Sequence, residues 1–217
     1  MMRKRAVLFD FDLTLADSTS GVVECVNSAL EAMALPRADP KAIRATIGFS
    51  LAATLARLTG LTDPALAQDF SLYFVKQADL RMVELTSVFP DVAQTLGQLR
   101  TAGIKTGIVS TKFRYRIETI LARDGLLDVF DVIVGGEDVT RHKPDPEGLV
   151  QALGKLDTQT ADSLYVGDHP VDAEAAAAAQ IPFAAVLTGA ATRNDFEPWP
   201  ATVFLSSLRE LAPFLKI

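Results

Sequence analysis

The side chains that could do chemistry stand in four polar segments, each following a run of apolar residues. They are carboxylates, hydroxyls and one lysine: Asp10, Asp12, Ser110, Thr111, Lys143, Asp168 and Asp172. If the apolar runs are parallel strands, their carboxyl ends open on one crevice, which is where sheets of this kind bind ligands. We therefore expect the four segments to face one point.

The four aspartates would repel one another electrostatically if they met in one site. Like charges a few ångströms apart cannot all stay ionised without compensating positive charge. A lysine and a hard divalent cation would supply that charge, and a ligand set made only of oxygen favours Mg²⁺. Zinc is disfavoured because the chain has one cysteine and two histidines.

The spacing within two of the segments agrees with a shared site. Asp10 and Asp12 are two residues apart on an extended segment, so both side chains can point to the same side. Asp168 and Asp172 are four apart, and a loop that turns into a helix would bring both carboxylates near one point. A helix that begins near Pro170 would also aim its N-terminus at the site and favour anions there.

Short apolar segments alternate with helical patterns along most of the chain. This alternation is typical of a parallel sheet covered by helices. We therefore predict an α/β fold, a Rossmann-like doubly wound parallel sheet core. The predicted strands are residues 5–10, 105–110, 131–135, 163–167, 183–187 and, more weakly patterned, 202–205.

About eighty residues separate the first strand from the helix that should follow it, and this segment is itself helical. Apolar stripes at helical spacing include Val22, Val26, Leu30 and Met33, then Leu51, Leu55 and Leu58, then Phe70, Tyr73 and Phe74. We predict an inserted all-helical cap over residues 16–83 and a core made of 1–15 and 84–217. Its hinges should lie near 16–18 and 86–90.

Bulk composition excludes several classes of protein. The 217 residues are 49% hydrophobic and 22% charged, which is ordinary for a globular chain. A net charge of −6 disfavours nucleic acid and anionic membranes as partners. The single cysteine fits a reducing compartment, and the apolar run that begins at Ala6 stops at Asp10, too short for a signal peptide. We predict a cytoplasmic protein.

The chain resembles the haloacid dehalogenase-like hydrolases, and in particular their phosphoglycolate phosphatase-like branch. The resemblance covers nearly the whole chain, because four motifs occur in order on strand ends and a helical insertion follows the first. The motifs are Asp10-Phe11-Asp12-Leu13-Thr14, Ser110-Thr111-Lys112, His142-Lys143-Pro144-Asp145-Pro146 and Gly167-Asp168-His169-Pro170-Val171-Asp172.

The resemblance implies a mechanism through an aspartyl-phosphate. Asp10 would be the nucleophile, and Asp12 would be general acid to the leaving oxygen and then general base to water. Mg²⁺ would be held by Asp10, the backbone carbonyl of Asp12, and Asp168. Asp172 would support the metal site from behind.

The resemblance also assigns the phosphate contacts. Ser110 or Thr111 would donate to phosphate oxygens, and Lys143 would balance the charge of Asp10 and the phosphate. Two positions depart from the family pattern. Leu13 stands where the family usually has glycine, and we expect it to narrow the leaving-group space or touch the cap. His169 replaces a small polar residue and could touch substrate or lie at the rim.

The function that the resemblance implies is hydrolysis of a small phosphate monoester, and by motif pattern the chain is most similar to phosphoglycolate phosphatases. A pyrophosphatase of the same branch is an alternative, and a phosphosugar mutase is a weaker one. A dehalogenase is disfavoured because Asp12 is present. From a different class, a receiver-type phosphoacceptor module uses similar residues, but such modules are about half this length and have no helical cap.

Specificity residues would lie in the cap, where Arg44, Lys76 and Arg81 are candidates. A small phosphorylated metabolite is the expected partner, and the chain is expected to be a monomer or a homodimer.

Overall fold

The computed structural model of the chain describes residues 4–199 and 201–217. Six strands form one sheet in which every neighbouring pair is parallel, and two further short strands pair separately. In chain order the strands are β1 (Ala6–Phe9), β2 (Ala16–Asp17), β3 (Ser87–Val88), β4 (Lys105–Val109), β5 (Val132–Val134), β6 (Ser163–Gly167), β7 (Phe183–Val186) and β8 (Val203–Leu205).

The order of the large sheet is β5-β4-β1-β6-β7-β8, so β1 is central. The chain first builds one side of β1 and then returns to build the other, as in a doubly wound fold. Phe9, the last residue of β1, is in register with Ile108 of β4 and Val166 of β6. The residues after these three strands therefore emerge side by side. The predicted fold class is confirmed.

Nine α-helices are found among the described residues. They are α1 (Thr19–Ala32), α2 (Pro40–Arg44), α3 (Leu51–Thr59), α4 (Pro64–Arg81), α5 (Val92–Thr101), α6 (Arg114–Arg123), α7 (Glu147–Leu156), α8 (Pro170–Ala178) and α9 (Leu211–Leu215). Gly103 follows the end of α5 with a φ of +71°, the left-handed conformation that stops a helix. No helix in the described ranges combines the length and the apolar character that crossing a bilayer would require.

The chain separates into two compact units, Met1–Ala16 with Val88–Ile217, and Asp17–Ser87. The first unit contains the large sheet, and its core includes Leu8, Tyr165 and Phe183. The β1 strand is fully buried because α7 and the neighbouring strands cover it. The predicted hinge segments 16–18 and 86–90 contain the two points where the chain passes from one unit to the other.

The second unit consists of α1 to α4. Its core includes Val26 and Leu30 of α1, Leu55 of α3, and Phe70 and Phe74 of α4. These positions follow the helical stripes read from the sequence, with one error. Tyr73 is 43% exposed, because the buried face of α4 runs through Phe70, Phe74 and Ala78 at a spacing of four residues.

The C-terminal segment also differs in detail from its sequence pattern. Ser207 and Glu210 have the spacing of a helix capping box, yet the Ser207 side chain caps no helix. Glu210 instead accepts a hydrogen bond from the backbone N–H of Ser206 at 3.0 Å, and α9 begins only at Leu211. The Glu210 side chain therefore accepts from the residue before the one that a capping box would use.

Candidate active site

Asp10 stands at the centre of the site because β1 is the central strand. Its backbone N–H continues the sheet by donating to the carbonyl of Val166 at 2.9 Å, and its side chain is buried. Burial raises the pKa of Asp10 to about 6, Lys143 opposes the rise, and Asp172 and Asp12 add to it. A carboxylate at this position is thus costly without a cation beside it.

Lys143 provides one such cation. Its Nζ lies 2.9 Å from Oδ1 of Asp10 and 2.5 Å from Oδ1 of Asp172, and the side chain is almost fully buried. It also donates to the hydroxyl of Tyr165 at 3.2 Å. Burial alone would lower the pKa of Lys143, but Asp10 and Asp172 raise it well above its usual range. The ammonium group is therefore a fixed positive charge.

Three carboxylates form a compact group that could hold a metal ion. Asp10, Asp168 and Asp172 each offer an oxygen, and these oxygens lie within 4.8 Å of one another. Burial, reinforced by Asp172 and Asp10, raises the pKa of Asp168 well above its usual value. The structure therefore brings together the residues that follow β1 and β6.

Asp168 is positioned by its neighbours on two sides. The hydroxyl of Thr14, also buried, donates to Asp168 Oδ1 at 2.9 Å. Gly189 approaches on the other side so closely that a Cβ atom there would stand 1.9 Å from Asp168 Oδ2. The loop after β7 thus contributes to the site, although sequence reasoning had not included it.

Asp172 has both carboxylate oxygens engaged. Oδ1 contacts Lys143 and the hydroxyl of Tyr165, and Oδ2 accepts from the backbone N–H of His169 at 3.1 Å. His169 in turn caps α8, because its Nδ1 accepts from the N–H of Val171 at 3.1 Å. The contacts of Asp172 suit a supporting position, and His169 has a structural role as a helix cap.

Asp12 is paired with Lys112, which was not among the predicted site residues. The Nζ of Lys112 lies 3.0 Å from Asp12 Oδ1, and both side chains are largely buried. Lys112 belongs to the Ser110-Thr111-Lys112 motif, so the signal was present in the sequence. The pairing itself depends on the course of the loop after β4, which no spacing rule gives.

Ser110 and Thr111 lie in that same loop. The Oγ of Ser110 is buried and accepts from the backbone N–H of Lys112 at 3.3 Å. Ser110 and Thr111 line a small cavity together with Lys143 and His142. The two predicted phosphate contacts therefore border the same space as the buried lysine.

Leu13 has a backbone conformation that glycine adopts more readily than leucine. Its φ is +59°, in the left-handed region that costs an L-residue about 1–2 kcal/mol. Its N–H donates to the carbonyl of Ala16 at 2.7 Å, and its carbonyl accepts from the hydroxyl of Thr188. The side chain is buried, with 2% exposure.

The charges of the site fit a divalent cation. Four carboxylates, those of Asp10, Asp12, Asp168 and Asp172, are balanced by only two ammonium groups in this cluster, those of Lys112 and Lys143. When all are ionised, two negative charges remain. Oδ1 of Asp10 is buried and accepts no well-directed hydrogen bond from the described residues, so it keeps lone pairs for a metal. Hard oxygen donors of this kind suit Mg²⁺-like ions.

Comparison with known proteins agrees on one family. A family model for haloacid dehalogenase-like hydrolases matches residues 7–186. A phosphoglycolate phosphatase of Yersinia pseudotuberculosis is 34% identical over 186 residues, covering 82% of this chain and 78% of the relative. A phosphoglycolate phosphatase of Escherichia coli is 30% identical and covers 97% of this chain and 92% of the relative.

Solved structures give the same result. A crystal structure described as a haloacid dehalogenase-like hydrolase from Bacteroides fragilis superposes with a TM-score of 0.93 at 43% identity, covering 96% of this chain and 99% of that one. A structure described as a predicted phosphatase from Clostridium acetobutylicum has a TM-score of 0.91 at 22% identity, with 99% of both chains covered. At 22% identity, the similarity to the Clostridium acetobutylicum structure is evidence for the fold alone.

Proposed function

The chain belongs to the haloacid dehalogenase-like hydrolase family, in its phosphoglycolate phosphatase-like branch, and we propose that it is a Mg²⁺-dependent phosphatase. It hydrolyses a small phosphate monoester through an aspartyl-phosphate on Asp10. The observation that carries the proposal is the burial of Asp10 at one point with Lys143, 2.9 Å away, and with the carboxylate of Asp168. The names of the relatives support a phosphatase activity.

In the first step an oxygen of Asp10 attacks phosphorus and the ester P–O bond breaks. Asp12 gives its proton to the leaving oxygen and becomes a carboxylate. In the second step Asp12 takes a proton from water, which attacks the phosphorus and breaks its bond to Asp10. Inorganic phosphate is released, and both aspartates return to their starting state.

Lys143 acts throughout as a fixed charge. It already contacts Asp10 Oδ1 and would also face the phosphoryl oxygens, so the negative charge that develops in transfer meets a group that need not move. Asp172 and the Tyr165 hydroxyl hold this ammonium in place. Ser110 and Thr111 would donate hydrogen bonds to the phosphate from the loop after β4.

Asp10, Asp168 and the backbone carbonyl of Asp12 would hold the Mg²⁺, with Asp172 behind them. When bound, the ion neutralises charge between the carboxylates and the phosphate and orients the phosphoryl group. The uncompensated charge of the cluster and the oxygen-only donor set support this choice of metal. The other close contacts of Asp168, with Thr14 and Gly189, would keep its carboxylate in position.

The proposed substrate class is a small phosphorylated metabolite in the cytoplasm, with phosphoglycolate as the first candidate because two relatives carry that name. A panel of phosphorylated metabolites, with phosphoglycolate and pyrophosphate included, should be assayed for phosphate release with and without Mg²⁺. Mg²⁺-dependent release from monoesters supports the proposal. Release from pyrophosphate alone would favour the pyrophosphatase alternative.

The receiver-type alternative differs from a phosphatase in turnover. A phosphoacceptor module takes up one phosphoryl group and retains it, whereas a phosphatase releases many phosphates per chain. Counting phosphate released per protein molecule from p-nitrophenyl phosphate separates the two. Uptake of about one equivalent without further release would overturn the proposed function.

A further inference from the structure

We propose that Lys112 is a positioning residue for Asp12, holding its carboxyl group at the leaving oxygen of the substrate. This inference rests on the proposed function, because it takes Asp12 as the acid–base group. Lys143 contacts Asp10 and Asp172, whereas Lys112 contacts Asp12. The two buried lysines therefore contact different carboxyl groups of the proposed reaction.

The contact between Lys112 and Asp12 is close and sheltered. The Nζ–Oδ1 distance is 3.0 Å, and the exposed fractions of the two side chains are 5% and 10%. An ion pair with so little water around it is screened far less than a surface pair. Asp12 Oδ1 accepts no well-directed hydrogen bond from the described residues, so the Lys112 charge is the contact that fixes this oxygen.

The backbone of Lys112 is itself held at both ends. Its N–H donates to Ser110 Oγ at 3.3 Å, and its carbonyl accepts from the N–H of Gly136 at 3.0 Å. The segment after β5 approaches so closely that a Cβ on Gly136 would stand 2.4 Å from the carbonyl oxygen of Thr111. A lysine on a loop anchored in this way can place its ammonium group reproducibly.

In the proposed reaction the two oxygens of the Asp12 carboxyl group have different functions. Oδ1 stays with Lys112, and the other oxygen carries the proton that is given to the leaving oxygen as the ester P–O bond breaks. The carboxylate that results remains beside the ammonium group, which stabilises it. A leaving group that departs as a stable anion needs no proton and should be insensitive to this arrangement.

The test compares two esters in single-turnover experiments on Lys112→Met. With an alkyl phosphate, whose leaving oxygen needs a proton, the rate of phosphoenzyme formation should fall about 10- to 100-fold, part of what a general acid contributes. With p-nitrophenyl phosphate, the burst of nitrophenolate should stay within about 3-fold of wild type. Equal losses with both esters, or no loss with either, would overturn the inference.

Matched variants separate positioning from a loss of fold or charge. Lys155→Met removes a lysine that is exposed on α7 of the same unit and should change neither rate. Lys112→Arg keeps the charge and should restore the alkyl phosphate rate to within about 3-fold of wild type. In an Asp12→Asn background, Lys112→Met should add less than about a 3-fold loss, because the two residues act as one unit. If Lys112→Met does not fold, Lys112→Gln is compared with Lys112→Arg by the same two esters, and the same outcomes decide.

Failure of this inference is distinguishable from failure of the proposed function. If Asp10→Asn abolishes phosphate release but Lys112→Met loses rate equally with both esters, only the role of Lys112 is wrong. If Asp10→Asn keeps wild-type phosphate release, the proposed function itself is wrong.

Discussion

At the scale of single residues, the arrangement of charge around Lys143 explains why so many carboxylates can be buried together. The ammonium group lies between Asp10 and Asp172, and the Tyr165 hydroxyl accepts from it while donating to the carbonyl of Val109. Each group thereby has a partner. Removing one partner from such a set leaves an uncompensated buried charge, which costs more than the pair contributes.

We expect Lys143→Met to lower both stability and activity. Loss of the ammonium group leaves Asp10 and Asp172 facing each other, which should cost about 3–5 kcal/mol of unfolding free energy. Phosphate release should fall by at least about 10²-fold, since the charge beside the nucleophile is lost. Denaturant unfolding and initial rates measure the two effects, with Lys155→Met as the control. Near-wild-type rates in a folded Lys143→Met protein would contradict the role given to Lys143.

The raised pKa of Asp10 predicts a pH dependence of the metal-free protein. Its pKa rises from an ordinary value of 3.8 to about 6, so between these values the folded state binds more protons than the unfolded state. Stability should therefore decrease as pH rises through this window, by about 3 kcal/mol from this group. Asp168, whose pKa is also raised, acts in the same direction.

Magnesium should reverse this loss, because it stabilises the ionised carboxylates. We expect Mg²⁺ to raise the melting temperature more at about pH 7.5 than at about pH 5, where protons compete for Asp10. Thermal melting with and without Mg²⁺ at both pH values measures this. In Asp10→Asn the difference between the two pH values should shrink. An equal effect of Mg²⁺ at both pH values in the wild-type protein would argue against these ligands.

The site residues predicted from the sequence lie directly after strands or in a recognisable motif. The contacts that were missed depend on the paths of loops. Asp10 and Asp168 follow adjacent parallel strands, so their approach follows from the fold, and Lys143 was expected from its motif. The pairing of Lys112 with Asp12, and the approach of Gly189 to Asp168, depend on the paths of loops. Loop paths are set by contacts that are distant in sequence, so spacing alone could not give them.

At the scale of elements, the loop after β7 borders the site through Thr188 and Gly189, and neither of these two residues is charged. Thr188 donates to the carbonyl of Leu13, and Gly189 leaves room for Asp168. The loop after β7 is therefore a fifth segment near the site, in addition to the four polar segments found in the sequence. Glycine is suited to position 189 because a larger residue would collide with Asp168.

Gly189→Ala should weaken metal binding by at least about 10-fold. The added Cβ would stand 1.9 Å from Asp168 Oδ2, so either the loop or the carboxylate must move. Titration calorimetry with Mg²⁺ measures the change. Gly97→Ala is the matched control, because a Cβ there meets nothing within 4 Å and alanine favours the helix interior by about 1 kcal/mol. Unchanged Mg²⁺ affinity in Gly189→Ala would mean that Gly189 does not constrain Asp168.

Regular elements were the most predictable part of the fold. Strands of the large sheet are apolar runs, and the sequence places them to within a residue or two; residues 131–135, for example, contain β5 at Val132–Val134. The two-residue strands β2 and β3 were not predicted, because so short a pairing is created by tertiary structure. The helix stripes failed only at Tyr73, where a position beside the buried face was counted as part of it.

At the scale of the whole molecule, the chain combines a sheet unit, in which we propose that the reaction takes place, with a helical unit that we propose sets specificity. Of the three candidate cations in the helical unit, Arg81 is already paired with Glu24 and Glu84. Lys76 is exposed on α4.

The central claim is that Asp10 accepts the phosphoryl group, and mass spectrometry of trapped protein tests it most directly. Asp12→Ala protein is mixed with p-nitrophenyl phosphate and Mg²⁺, quenched in acid and digested. We expect an added phosphoryl mass on the peptide that contains Asp10, removable by hydroxylamine, and none in the Asp10→Asn, Asp12→Ala double variant. A phosphoryl group on another residue, or rapid phosphate release from Asp10→Asn, would contradict it.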